Sequence, residues 1–192
     1  AGLAEAGIIT VILDINEEAA QKVAAMVHEE TGTASYGMKA NVLDKASLEA
    51  VRQRINDEVG QIDFLINGAG GNSPQATTQL EELTENDLND LEKSFFGLEM
   101  EGFQKVFDLN FMGTLLPSMV LARQMVERQK GVILNISSMN AYKPLTKIPA
   151  YSAAKASVNN FTEWLAVHFA KTGVRVNAIA PGFFLTNQNR FL

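Results

Sequence analysis

Val132-Ile133-Leu134-Asn135-Ile136-Ser137-Ser138 opens as a nearly continuous apolar run and closes on two hydroxyls. Such a run fits a strand covered on both faces, as in a parallel sheet sandwiched between helices. Ile62-Asp63-Phe64-Leu65-Ile66 has the same character, so both are expected to lie centrally. Working outward, strands are expected over residues 8–14, 34–40, 62–67, 132–137 and 174–179. Each follows a helical stretch that ends in glycine, at Gly7, Gly32, Gly60, Gly131 and Gly173. Glycine suits the left-handed position just past a helix end, and regular alternation of helix and strand indicates a parallel sheet with both faces covered.

The expected helices span residues 17–30, 45–59, 102–128 and 150–171. Asn16 and Asp44 stand where N-caps belong, and Thr84-Glu85-Asn86-Asp87 resembles a capping box that opens a further short helix. No internal repeat or low-complexity tract interrupts the pattern, and 192 residues suit one α/β domain. Residues 79–101 depart from it: eight carboxylates there face one base, Lys93. A solvated acidic flap explains such a stretch, although it could also cover a pocket.

The composition, 46% hydrophobic and 20% charged, is that of a soluble globular protein. A net charge of -6 argues against a nucleic-acid surface, which needs clustered Lys and Arg. The absence of cysteine excludes disulfides, thiolate catalysis and Cys-ligated metals, and fits a reducing, cytoplasmic compartment. His28 and His168 stand alone in helical patterns and suggest no metal site. No apolar run reaches the 18 residues of a membrane span. A small-molecule substrate is the expected partner.

Tyr151-Ser152-Ala153-Ala154-Lys155 puts a phenol and an ammonium on one helix face, one turn apart. A cation held there favours the ionised phenol and makes a group that gives and takes a proton. Open parallel sheets bind ligands at the carboxyl ends of their strands. There the sequence places Ser137-Ser138, the small-residue run Asn67-Gly68-Ala69-Gly70-Gly71, the pair Pro181-Gly182, and Asp14. A serine hydroxyl can hold a carbonyl oxygen, and a small-residue run admits a flat ligand to the backbone. A strand-end acid can accept both ribose hydroxyls of an adenosine while repelling a 2′-phosphate, which predicts NAD over NADP. Each signal alone has an ordinary explanation; Ser138, for example, could merely turn the chain.

Taken together, these residues make almost the whole chain resemble the short-chain dehydrogenase/reductase family. The resemblance implies a doubly wound Rossmann-type sheet and alcohol–carbonyl interconversion with NAD. It places Asn110, Ser138, Tyr151 and Lys155 as a catalytic tetrad, with Tyr151 thirteen positions after Ser138. Tyr151 would exchange the proton, and Ser138 would polarise the substrate oxygen. Lys155 would favour the phenolate and hold the nicotinamide ribose, while Asn110 would hold a water linking Lys155 to solvent. Cofactor contacts are implied for Asp14, Asn41, Val42, Asn67, Gly68, Ala69, Gly70, Tyr151, Lys155, Pro181, Gly182 and Thr186. Two positions depart from the family pattern: Gly68 replaces a second asparagine, and Asn41 stands where aspartate is usual. The resemblance also implies a further strand and glycine turn before Ala1 and further elements after Leu192, so the chain reads as part of a longer protein.

Residues 67–72, the acidic excursion and residues 177–188 resemble a subgroup, the D-mannonate oxidoreductases or fructuronate reductases. Asn140, Lys143 and Lys147 on one loop, with Asn187, Asn189 and Arg190 on another, suit a polyhydroxy carboxylate. The expectation is that Lys143 or Lys147 binds the carboxylate. The alternatives are a reductase for another sugar, ketoacyl or keto-acid substrate, a non-catalytic nucleotide-binding protein, or an inert part of an assembly. The resemblance further implies a homo-oligomer, dimer or tetramer, with Trp164 either at the subunit contact or in the core.

Overall fold

The computed structural model describes residues 1–182, and the chain divides into two units, Ala1–Ile62 and Asp63–Leu192. The first unit runs α1 (Gly2–Glu5), β1 (Thr10–Asp14), α2 (Glu17–Thr31), β2 (Ser35–Lys39) and α3 (Lys45–Glu58). Both expected caps are present: Asn16 Oδ1 accepts from the Ala19 amide at 3.1 Å, and Asp44 Oδ1 from the Ala46 amide at 2.9 Å. Helix α2 ends on Gly32 in the left-handed region, φ 71°. β1 and β2 pair in parallel, from Thr10 opposite Ser35 to Asp14 opposite Lys39. Met38, Ala40, Val51 and Ile55 form the core, with Val11, Leu13 and Tyr36 packed on it. At Gly37 a Cβ would stand 2.3 Å from the Gln21 amide nitrogen and 2.4 Å from the Ala20 carbonyl carbon. Only glycine lets β2 lie this close to α2.

The second unit contains β3 (Phe64–Asn67), α4 (Met100–Phe107), α5 (Gly113–Leu121), α6 (Arg123–Glu127), β4 (Gly131–Ile136), α7 (Pro149–His168) and β5 (Val174–Ile179). Its three strands are all parallel, in the order β3-β4-β5. β4 is central, with Ile133 and Asn135 fully buried, as its apolar run predicts. Among the described residues β3 pairs with β4, from Phe64 opposite Val132 to Asn67 opposite Asn135.

Three expectations need correction. Gly131 does not end a helix; it opens β4, where a Cβ would stand 2.6 Å from Met125 Cβ, and Gln129 takes the left-handed conformation instead. The single helix expected over residues 102–128 is three helices, α4, α5 and α6, with a π-helical turn, Asp108–Met112, joining the first two. Pro117 inside α5 lacks the N–H that would close the bond to Gly113. The capping group at Thr84 forms, with its amide and hydroxyl both donating to Asp87 Oδ2, but it starts only a single 3-10 turn, Glu85–Asp87. The acidic stretch is a series of such turns, with Leu91–Lys93 and Phe95–Gly97 following.

Candidate active site

α7 begins with Pro149 in its first turn, where the missing N–H does no harm, and carries Tyr151 and Lys155 into the site one turn apart. Lys155 is only 4% exposed. Its Nζ donates to the Ile136 carbonyl at 2.7 Å and lies 5.6 Å from the centre of the Tyr151 ring. Burial penalises the charged amine and pushes its pKa down to about 8. The Tyr151 ring packs, as Phe103 does, against the buried cluster Ala76, Val106 and Ala150.

Asn110 sits fully buried in the π-helical turn, a distortion that recurs at functional sites. Its Nδ2 donates to the carbonyls of Val106 and Gly71, both at 2.7 Å, and its Oδ1 accepts from the Gly71 amide at 3.2 Å. Both side-chain N–H groups are thereby occupied, and only Oδ1 retains hydrogen-bonding capacity. A Cβ on Gly70 would stand 2.6 Å from that Oδ1 and 3.2 Å from Lys155 Nζ. The lysine and the asparagine therefore border the same small space, which exists because residue 70 has no side chain.

Ser138 follows the end of β4 and is buried. Its Oγ accepts from the Asn140 amide at 3.2 Å, capping the 3-10 turn Met139–Ala141. The turn-forming role is therefore real, and it uses a lone pair while leaving the hydroxyl proton to be donated. The Met139 amide donates to the Pro181 carbonyl at 3.0 Å, which brings the residue after β5 beside Ser138. Gly182 is exposed. Thr186, Asn187, Asn189 and Arg190 lie outside the described residues.

Of the three substrate candidates, Asn140 is 5% exposed and its Oδ1 is buried without a hydrogen-bond partner. Lys143 is exposed. Lys147 lies 4.0 Å from the Glu81 carboxylate, and its carbonyl accepts from the Thr78 amide. The acidic stretch thus meets the loop that carries the candidates, a contact no local pattern encodes.

Asn67 turns its side chain inward, its Nδ2 donating to Ser118 Oγ at 2.9 Å and Asn135 Oδ1 at 2.8 Å. Gly68 is exposed and Ala69 partly buried. In the first unit, Asp14 is exposed and one carboxylate oxygen accepts from the Asn16 amide at 2.8 Å. Asn41 Oδ1 accepts from the Leu43 amide at 3.0 Å, and Val42 is partly buried. Among the described residues no group of three or more His, Asp or Glu side chains could hold a metal ion. Sequence reasoning missed Asn135, Thr114, Ser118 and Thr162, all buried and hydrogen-bonded around the site. The available signal was Asn135 itself, a polar residue inside an apolar strand, where burial demands partners.

The family model described as short chain dehydrogenase matches residues 1–192. An uncharacterised oxidoreductase of Haemophilus influenzae is 52% identical over 178 residues, covering 93% of this chain and 62% of that protein. The 5-keto-D-gluconate 5-reductase of Escherichia coli is 31% identical, covering 100% of this chain and 68% of that protein. The solved structure of a candidate D-mannonate oxidoreductase from Haemophilus influenzae, with bound NAD, matches with a TM-score of 0.91 at 48% identity. That match covers 99% of this chain and 69% of that one. The chain therefore spans between 62% and 69% of the length of these relatives. With the family model matched from end to end, the chain belongs to the short chain dehydrogenase family.

Proposed function

We propose that this protein is an NAD-dependent oxidoreductase that interconverts a secondary alcohol and a carbonyl on a sugar acid of the D-mannonate and D-fructuronate kind. The observation that carries the reading is the meeting of Lys155 and Asn110 at Gly70, one helical turn from Tyr151. The backbone fits a flat cofactor: residues 68–71 carry nothing larger than a methyl group, and a Cβ at Gly68 would meet Ile136 Cγ1 no nearer than 3.9 Å. Asp14, exposed at the end of β1, suits ribose hydroxyls and disfavours a 2′-phosphate. When bound, the nicotinamide supplies or accepts the hydride.

This chain's own residues supply position and a proton route. Tyr151 gives the proton to the carbonyl oxygen in reduction and takes it in oxidation, at its phenol oxygen. Ser138 donates its remaining hydroxyl proton to the same substrate oxygen. Lys155 uses one N–H on Ile136 and has two left for the ribose and for a proton relay. Asn110 Oδ1 accepts from a water on that relay. The unpartnered Asn140 Oδ1 matches a substrate hydroxyl, and Lys143 is the first candidate for the carboxylate because Lys147 already faces Glu81. The sugar-acid reading is supported by the relatives, one a candidate D-mannonate oxidoreductase and one a 5-keto-D-gluconate 5-reductase.

The same reading includes a homo-oligomer. The 57% exposure of Trp164 supports a place at the subunit contact; it stacks on His168 at 4.7 Å and borders an open apolar hollow with Phe111 and Phe161. No helix among the described residues is long and apolar enough to cross a membrane, and we place the protein in the cytoplasm. The test is NADH against NADPH oxidation by the full-length protein with fructuronate, alongside Tyr151→Phe. NADH oxidation that disappears in the variant supports the reading. Turnover that survives in the variant overturns the role of Tyr151, and NADH binding without turnover overturns the substrate.

A further inference from the structure

Around the site runs a continuous buried polar ladder. Thr114 Oγ1 donates to the Asn110 carbonyl at 2.9 Å, and Ser118 Oγ donates to the Thr114 carbonyl at 2.8 Å. Asn67 Nδ2 donates both to Ser118 Oγ and to Asn135 Oδ1. Asn135 Nδ2 donates to Thr162 Oγ1 at 2.8 Å, and Thr162 Oγ1 donates to the Val158 carbonyl at 2.7 Å. No member is more than 6% exposed, and none of their side-chain polar atoms is left buried without a partner.

We infer that Ser118 and Thr162 are positioning residues: through Asn67 and Asn135 they lock the helices bearing Asn110 and Lys155 to the sheet in one axial register. The inference rests on the assignment of those two residues to the site. The donor pattern has one solution. Each helix hydroxyl gives its proton to a carbonyl of its own helix, four residues back, and so offers the sheet only lone pairs. The N–H groups must come from the strands, and asparagine is the strand residue that can donate to one neighbour while accepting from the next. Ser118 lies eight residues beyond Asn110 and Thr162 seven beyond Lys155, each about 10–12 Å along its helix. Ser118 and Thr162 therefore stand well below the reacting groups and touch none of them; the ladder reaches the site through Thr114 on the Asn110 carbonyl.

Apolar packing alone tolerates sliding of a helix over a sheet, because most shifted positions still bury methyl groups. A hydrogen-bonded asparagine does not, since any slip leaves a buried N–H or carbonyl without a partner. α7 is held to β4 and the residue after it three times, by Asn135 to Thr162, by Lys155 Nζ to the Ile136 carbonyl and by Ser137 Oγ to the Lys155 carbonyl at 3.4 Å. Two of these tethers lie at Lys155, so losing the first lets the helix pivot about that point.

The test is the reactivity of Lys155 in the full-length protein toward acetic anhydride, followed by mass spectrometry against pH, in Thr162→Val, Thr162→Ser and Ser118→Ala. It needs neither substrate nor turnover, so it stands or falls apart from the proposed reaction. Thr162→Val keeps the shape and loses the acceptor; the expected result is a limiting labelling rate, that of the neutral amine above its midpoint, raised at least threefold, and a titration midpoint moved from about 8 towards the ordinary 10.5. Thr162→Ser should restore both. Ser118→Ala should move them in the same direction by less, because Asn67 keeps its bond to Asn135, and it serves if Thr162→Val does not fold. Variants that unfold at lower temperature but leave the Lys155 titration and rate unchanged would overturn the inference and reduce the ladder to ordinary core polarity.

Discussion

Lys155 Nζ and Asn110 Oδ1 approach the same point from two helices, 3.2 Å and 2.6 Å from where a Cβ of Gly70 would be. Both distances are shorter than ordinary contact, so a methyl group there must displace one of the two polar groups or move the turn. Gly70→Ala is expected to lower kcat for NADH oxidation with fructuronate by about 100-fold, the scale of an ångström-sized misplacement at a reacting centre. Gly68→Ala, whose Cβ meets nothing closer than 3.9 Å, should leave the melting temperature unchanged. Equal activities in wild type and Gly70→Ala would show that the space has no part in the reaction.

The buried amine also makes stability depend on pH. Lys155 loses its proton near pH 8 in the folded protein, against 10.5 for the ordinary side chain. Between those values the unfolded chain binds more protons than the folded one, so stability rises with pH across that window and is lowest below it. The difference in unfolding free energy between wild type and Lys155→Met should grow in favour of the wild type by up to about 3 kcal/mol from pH 7 to 10.5. Chemical denaturation at several pH values measures it; a flat difference would mean the amine is solvated.

The two loop lysines should separate in kinetics. Lys143→Ala is expected to raise KM for fructuronate about tenfold with kcat little changed, as loss of one charge-assisted contact does. Lys147→Ala should have a smaller effect, because Glu81 already faces that ammonium. Unchanged KM in both variants would remove this loop from carboxylate binding.

In the first unit, Gly37→Ala should be among the most damaging single-methyl changes. The added carbon would stand 2.3 Å from backbone nitrogen of α2, where no side chain can rotate away. A loss of about 3 kcal/mol or more in urea unfolding is expected, at the upper end for overpacking. A loss below about 1 kcal/mol would show that α2 shifts freely over β2.

Much of the site was legible because its signals are local. A four-residue spacing places Tyr151 and Lys155 on one helix face whatever surrounds them, and a buried strand that ends in Ser137-Ser138 delivers a hydroxyl to the sheet's carboxyl edge. The caps at Asn16 and Asp44 and the left-handed glycines Gly7, Gly32, Gly60 and Gly173 follow from the same short-range rules. The helix expected over residues 102–128 is broken into three, since a π turn depends on what each residue meets across the packing.

The sequence by itself determined the alternation of helix and strand, the phenol–ammonium pair and the strand-end residues, because backbone geometry and the helical period act over a few positions. The tertiary structure alone decided that Lys147 faces Glu81. It alone brought Asn110 and Lys155 together over Gly70 and joined Asn67 and Asn135 to two helices. These relations connect residues 39 to 68 positions apart in several cases, and only the packing of helices on the sheet brings such side chains within hydrogen-bond range.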